Sequence, residues 1–123
     1  MSADDIPMSC PITASLGVLG RKWAFMVLRD AAMMGKTRFS EYLEANPGLS
    51  GRVLSMRLGE LVDAGLLSKR ETPTGPRYAP TAMGMDTMPI LMELLRFGAK
   101  HHARDVFCDG RPRTLEQVLA ATA

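Results

Sequence analysis

A mainly α chain with a small β-hairpin wing, the winged helix-turn-helix arrangement, is predicted by three observations. A short helix opening near Arg38 is followed by a reversal at Asn46-Pro47-Gly48 and a second helix from Ser50. Two brief strands then flank Pro73-Thr74-Gly75-Pro76. Outside this unit, the segments from Lys22 to Met34 and from Met88 to His102 are apolar over more than one face, which predicts that N- and C-terminal helices form a dimer interface.

Residues 1–9 read as a flexible arm, because Pro7 and Pro11 punctuate the start of the chain. Pro11 suits a first helical position, where its missing N–H is no loss, so Cys10 falls at or near a helix N-cap. Amide groups there stabilise a thiolate and predict a lowered thiol pKa. The competing account of Cys10 is a small apolar residue packed under the first helix. From Lys22 to Met34 only Arg29 and Asp30 interrupt an apolar run, and Gly35 gives a stop. Such a helix is either the central core helix of a monomer or one whose cover, around Trp23, comes in part from a second subunit.

Ser50 follows a Pro-Gly turn, and its hydroxyl is suited to accept from the amide groups left free in a first helical turn. Leu54, Leu58, Leu61 and Val62 then recur on one side of a 3.6-residue helix, which makes that side the inward face. Arg52, Ser55, Met56 and Gly59 point elsewhere. A helix-interior glycine costs about 1 kcal/mol relative to alanine, so close approach of a backbone is one reason for Gly59. Gly65 ends the helix as a left-handed cap, since without a Cβ it meets no steric penalty at positive φ. Leu66 and Leu67 return to the core. Ser68 to Thr72 is too short and polar for a helix, and Pro73 to Pro76 marks a tight reversal into Arg77 and Tyr78. Pro80 limits the return strand because it cannot donate to a ladder.

Beyond the wing, Met88, Leu91, Leu95, Gly98 and His102 step by three and four as in a short a/d seam, with Ile90, Leu94 and Phe97 as a second strip beside it. One strip is expected to face the domain and the other a partner. The seam is assigned to the partner, and wide packing within one monomer is the alternative. Leu115, Val118 and Leu119 predict a last short helix. The organisation expected is therefore an arm at 1–9, a winged-helix domain with dimerisation helices at 10–107, and an extension at 108–123.

With 123 residues, 46% hydrophobic and 23% charged, the chain fits one globular domain. No apolar run approaches the roughly 20 residues a membrane span requires, and the acidic start Met1-Ser2-Ala3-Asp4-Asp5 is unlike a signal peptide. A cytoplasmic protein with no membrane partner is expected. The formal charge of +2 lies wholly in residues 50–77, where five Lys and Arg face three Asp and Glu. That favours a phosphate backbone as partner, although a solvated mixed-charge surface is the ordinary alternative. Cys10 and Cys108 match neither a disulfide framework nor zinc spacing. His101, His102, Asp105 and Cys108 match no recognised catalytic or metal order, and no phosphate loop or nucleophile elbow occurs. No enzyme, no metal and no cofactor are expected.

The run Cys10-Pro11, Leu19-Gly20-Arg21-Lys22-Trp23, Leu28-Arg29, Arg38-Phe39-x-Glu41-x-Leu43, Pro47-Gly48-Leu49-Ser50, Val53-Leu54-Ser55-x-Arg57-Leu58-x-Glu60-Leu61 and Gly65-Leu66 resembles the HxlR-type transcriptional regulators, a MarR-like winged-helix branch. The resemblance covers about residues 10–102. It departs where the family tends to have a polar residue at Met56, a basic one at Gly59, and Leu-Thr-Glu-Lys-Gly in place of Pro80 to Gly84. It implies a homodimeric regulator, expected to be a repressor, binding double-stranded DNA at an inverted-repeat operator.

In that arrangement the helix from Ser50 to Ala64 enters the major groove and the wing meets flanking backbone. The DNA contacts implied are Ser50, Gly51, Arg52, Ser55, Met56 and Arg57 on the helix and Lys69, Arg70 and Arg77 on the wing. Arg52 suits a guanine edge, whereas Arg57 has Glu60 or a phosphate as competing partners. The dimer interface expected from the apolar helices takes Trp23, Met88, Leu91, Leu95, Gly98 and His102. By the same resemblance, Cys10 is a candidate sensor for a small-molecule electrophile or oxidant. A winged-helix protein-interaction module without DNA binding is the alternative function, and the basic wing argues against it.

Overall fold

The structure, a computed structural model, describes residues 10–122, so the arm expected at 1–9 lies outside the described residues. In order they form α1 (Pro11–Leu19), α2 (Ala24–Ala32), α3 (Phe39–Ala45), α4 (Gly51–Asp63), β1 (Leu67–Thr72), β2 (Gly75–Pro80), α5 (Ala82–Met85), α6 (Met88–His101), α7 (Ala103–Val106) and α8 (Leu115–Thr122). The chain divides into two compact units, one ending at Met85 and one beginning at Asp86. The boundary expected at residue 107 falls inside the second unit, because α8 packs on α6 and the Arg113 amide donates to the Ala99 carbonyl at 3.0 Å.

In the first unit, Val27 and Leu28 of α2, Tyr42 of α3, Leu54, Leu58 and Leu61 of α4, and Leu66 and Leu67 are fully or almost fully buried. Each buried Leu or Val contributes on the order of 1.5–3 kcal/mol relative to an exposed one. The helical spacing of the α4 leucines thus both forms the helix and seats it. Gly65 has φ +83° and sends Leu66 back to the Leu61 carbonyl, 2.9 Å away.

The expectation for residues 22–34 is corrected in two respects. The helix starts later, because Trp23 takes a left-handed φ of 77° and becomes its N-cap. It also ends earlier, at Ala32, so that Met33 and Met34 lie beyond it and are exposed; within it every residue is buried or half-buried, including Asp30, expected to interrupt the apolar surface and only 1% exposed.

The strands pair antiparallel in a hairpin with Leu67 opposite Pro80 and Arg70 opposite Arg77, closing around Pro73-Thr74. Pro80 is the last strand residue, as a missing donor requires. The Tyr78 amide also donates to the Thr37 carbonyl at 2.9 Å, tying the wing to the approach to α3. At the wing's exit Thr81 Oγ1 donates to the Gly65 carbonyl and accepts from the Gly84 amide. Gly84 is required there, since a Cβ would fall on the Leu66 carbonyl oxygen.

In the second unit Pro89 sits in the first turn of α6, and Leu91 and Ala99 of that helix are buried. α7 follows directly, with Ala103 buried. The Asp109 carboxylate accepts from Arg113 at 2.6 Å, and the Arg113 guanidinium lies 4.1 Å from the Phe107 ring centroid. Thr114 and Gln117 exchange side-chain and amide bonds of 2.9 and 3.2 Å, a capping box that starts α8. Among the described residues no helix is long and apolar enough to cross a membrane.

Candidate nucleic-acid interface

α4 begins where the Ser50 hydroxyl accepts from the Val53 amide at 3.1 Å. With Leu54, Leu58 and Leu61 turned inward, Arg52, Ser55, Met56 and Gly59 are left exposed at i, i+3, i+4 and i+7 on one face. Gly51 is half-buried, and a Cβ there would approach the Phe39 ring to 3.8 Å. At Gly59 no close approach occurs among the described residues, for a Cβ would meet nothing within 4 Å.

Two side-chain clamps hold this helix and its turn. Asp30 accepts from Arg29 at 2.8 and 3.0 Å and from Asn46 Nδ2 at 2.6 Å. Asn46, itself buried, also donates to the Tyr42 carbonyl at 2.8 Å, and its carbonyl accepts from the Leu49 amide. A carboxylate on α2 thereby fixes the turn that precedes Ser50. Farther along α4, Arg57 Nε donates to the Lys22 carbonyl at 2.7 Å and Nη1 to Glu60 at 3.1 Å. Its side chain is only 12% exposed. Arg57, expected as a DNA contact with Glu60 or a phosphate as competing partners, thus has its Nε and Nη1 engaged inside the chain, where it positions α4 against the α1–α2 junction.

The wing presents its cations unequally. Arg70 and Lys69 are exposed, the latter 3.5 Å from Glu71 at the surface. Arg77 is half-buried and donates to Thr37 Oγ1 at 3.0 Å, so part of its function is to brace the hairpin. Sequence reasoning missed Arg38. Its side chain is exposed at the start of α3 and reaches Thr74 at the wing tip, 3.4 Å away. The only sequence signal for this bridge was the Arg38-Phe39 pair already used as a family motif. The adjacent Glu41 carboxyl is held below its usual pKa by the Arg38 and then the Thr37 amides, so the acid remains an ionised cap to α3. Burial, then the nearby charge of Asp30, pushes the Tyr42 hydroxyl up, and it stays a neutral donor to the Lys36 carbonyl at 2.8 Å.

The capped helix with Arg52, Ser55 and Met56 exposed, its clamped turn and the basic hairpin all lie within residues 18–106, which match the HxlR-like helix-turn-helix family. The chain belongs to the HxlR family. It is similar to the HTH-type transcriptional regulator YvaP of Bacillus subtilis, 35% identical over 74% of this chain and 87% of that one. Among solved structures it resembles PA1607, a transcription-factor candidate, with TM-score 0.68 and 31% identity over 81% of this chain and 67% of that one. It also resembles the redox regulator HypR in its oxidised form, with TM-score 0.66 and 27% identity over 72% of this chain and 94% of that one. This HxlR-type chain is thus a transcriptional regulator, and its family consists of regulators rather than enzymes.

Other expected site residues fall elsewhere. Cys10 is exposed at the N-cap of α1, and the amides of Thr13 and then Ile12 hold its thiol below the ordinary cysteine value. Trp23 lies against the helix-turn-helix turn of its own chain, its Cζ2 4.0 Å from where a Gly48 Cβ would stand. The assigned α6 seam is also corrected. Leu91 is 6% exposed and Met88, Leu95 and Gly98 are half-buried, so only His102 of that set lies open. The open strip is Ile90, Leu94 and Phe97, at 46%, 50% and 57% exposure. Periodicity defines strips but not which one the chain covers itself. On α1, Ile12 and Leu16 are likewise exposed. Among the described residues no three His, Cys, Asp or Glu side chains cluster as metal ligands.

Proposed function

We propose that this HxlR-family regulator is a cytoplasmic, sequence-specific DNA-binding repressor that acts as a homodimer on an inverted-repeat operator. The observation that carries the reading is the exposed α4 face, Arg52, Ser55 and Met56, directly after the Ser50 cap and beside the wing cations Lys69 and Arg70. In this reading α4 lies in the major groove with its first turns nearest the bases. Arg52 reads a base edge, Ser50, Gly51 and Ser55 approach phosphates, and Arg38, Lys69, Arg70 and the outer part of Arg77 anchor the backbone. Arg57 acts only through its grip on α4.

The second copy covers apolar residues that one chain leaves in water: Ile12 and Leu16 of α1 and Ile90, Leu94 and Phe97 of α6. Cys10, exposed and lowered in pKa, is the residue through which an oxidant or electrophile acts, a reading supported by likeness to the redox regulator HypR. A mobility-shift titration with DNA flanking the protein's own gene tests the function. Salt-sensitive, sequence-selective binding is expected, with Arg52→Ala relaxing preference at one base position. Absence of binding at low salt would favour the protein-interaction alternative.

A further inference from the structure

The segment beyond the family match, which ends at residue 106, is held against α6 by dedicated contacts. Arg113 alone uses its amide on Ala99, two guanidinium nitrogens on Asp109, and its guanidinium face on Phe107. Asp109 in turn accepts from the Arg111 amide at 2.9 Å and is held below its usual pKa chiefly by Arg113, so this brace is ionised at neutral pH. The braced segment and α6 enclose an open cleft of about 440 Å³, lined by Arg96, Lys100, Pro112, Arg113, Leu115 and Glu116 among others.

The lining has a definite chemistry. Three cations face one acid, Glu116. Arg96 is engaged by Glu93 at 2.9 Å and Arg113 by Asp109, but Lys100 has no ion-pair partner among the described residues. Pro112 and the buried Leu115 supply apolar surface between these heads. The cleft's size is that of a small-molecule site, on the order of 300–1,000 Å³. Its first-turn amides, Leu115 and Glu116, lack intrahelical acceptors by the geometry of any helix start and add to the positive field.

We infer that the cleft between α6 and the start of α8 is a binding site for a small organic carboxylate with a compact apolar body. Lys100 supplies the charge-assisted hydrogen bond, Arg96 a second cation, and Pro112 and Leu115 the wall for the apolar body. None of its lining residues belongs to α4 or to the surroundings of Cys10 in the sequence, and it requires the C-terminal segment beyond the family match.

Phenylacetate serves as the probe, added to the full-length ¹⁵N-labelled protein and followed by amide chemical shifts, with phenylacetamide and inorganic phosphate as parallel arms. A saturable response is expected at residues 96–100 and 112–117, and Lys100→Gln is expected to weaken it by about fivefold or more because an exposed ion-assisted hydrogen bond is lost. Lys100 is exposed, and an unchanged spectrum elsewhere verifies that the variant folds. Equal binding of phenylacetamide, equal binding of phosphate at the same amides, an unchanged affinity in Lys100→Gln, or no saturable response would each overturn the assignment. None of these readouts involves DNA, so the site stands or falls apart from the proposed operator binding.

Discussion

The sharpest test of how the reading helix is held is Asp30, a buried carboxylate with no exposure to DNA. Asp30→Asn preserves volume but removes the charge that accepts two bonds from Arg29 and one from Asn46. Hydrogen bonds to charged groups contribute about 1.5–3 kcal/mol each. Not all of this is lost, because Arg29 is 35% exposed and regains water, and Asn46 keeps its bond to the Tyr42 carbonyl. We expect a net destabilisation of about 2 kcal/mol, within the range for breaking a buried polar network. Asn46→Ala removes the other end of the clamp. Urea unfolding followed by circular dichroism, at fixed protein concentration so that association does not shift the midpoint, measures both variants and the double variant. A coupling energy of about 1 kcal/mol or more between positions 30 and 46 is expected, since contacting residues in one network couple by roughly 0.5–3 kcal/mol. Additive effects would refute the clamp. Operator affinity should fall further than nonspecific affinity in Asp30→Asn, because the turn that aims α4 is loosened while the wing cations are untouched.

Three further outcomes follow from the geometry. Alkylation of Cys10 by iodoacetamide should show a midpoint pH below that of an unperturbed cysteine, since amide donation favours the thiolate; a midpoint at or above the ordinary value would remove the basis for its reactivity. Gly84→Ala should destabilise the first unit by about 1–3 kcal/mol through forced displacement at Leu66, and a melting temperature unchanged from the parent would contradict the close approach. Leu94→Arg, which places a charge in the exposed α6 strip, should shift sedimentation from dimer to monomer without loss of helical circular dichroism. Persistence of the dimer would move the interface away from that strip.

Local signals made the reading helix and its neighbours legible. Ser50 after Pro47-Gly48, leucines at helical spacing and Gly65 each act through covalent neighbours within one or two turns, so they determine where α4 starts, what it buries and how it ends. The hairpin was legible for the same reason, from Pro73-Thr74 and Pro80. The α8 spacing likewise predicted a helix but not its attachment to α6, which depends on Arg113 reaching Ala99 and Asp109.

What the linear order could not decide was which polar groups find partners across elements. Asp30 looked like a break in an apolar helix and is among the most buried residues, because Asn46, far along the chain, arrives beside it. For Arg57 the sequence offered Glu60 as a partner but not the Lys22 carbonyl, which reaches it from the α1–α2 junction. On α6 two apolar strips were equally visible, and only folding decided that Leu91 is covered while Leu94 and Phe97 remain open. The sequence by itself therefore determined the capped α4 helix, its inward face, the wing and the family. Tertiary structure alone decided which exposed-looking charges are spent inside, because burial and hydrogen-bond partnership are properties of elements brought together, not of periodicity along one of them.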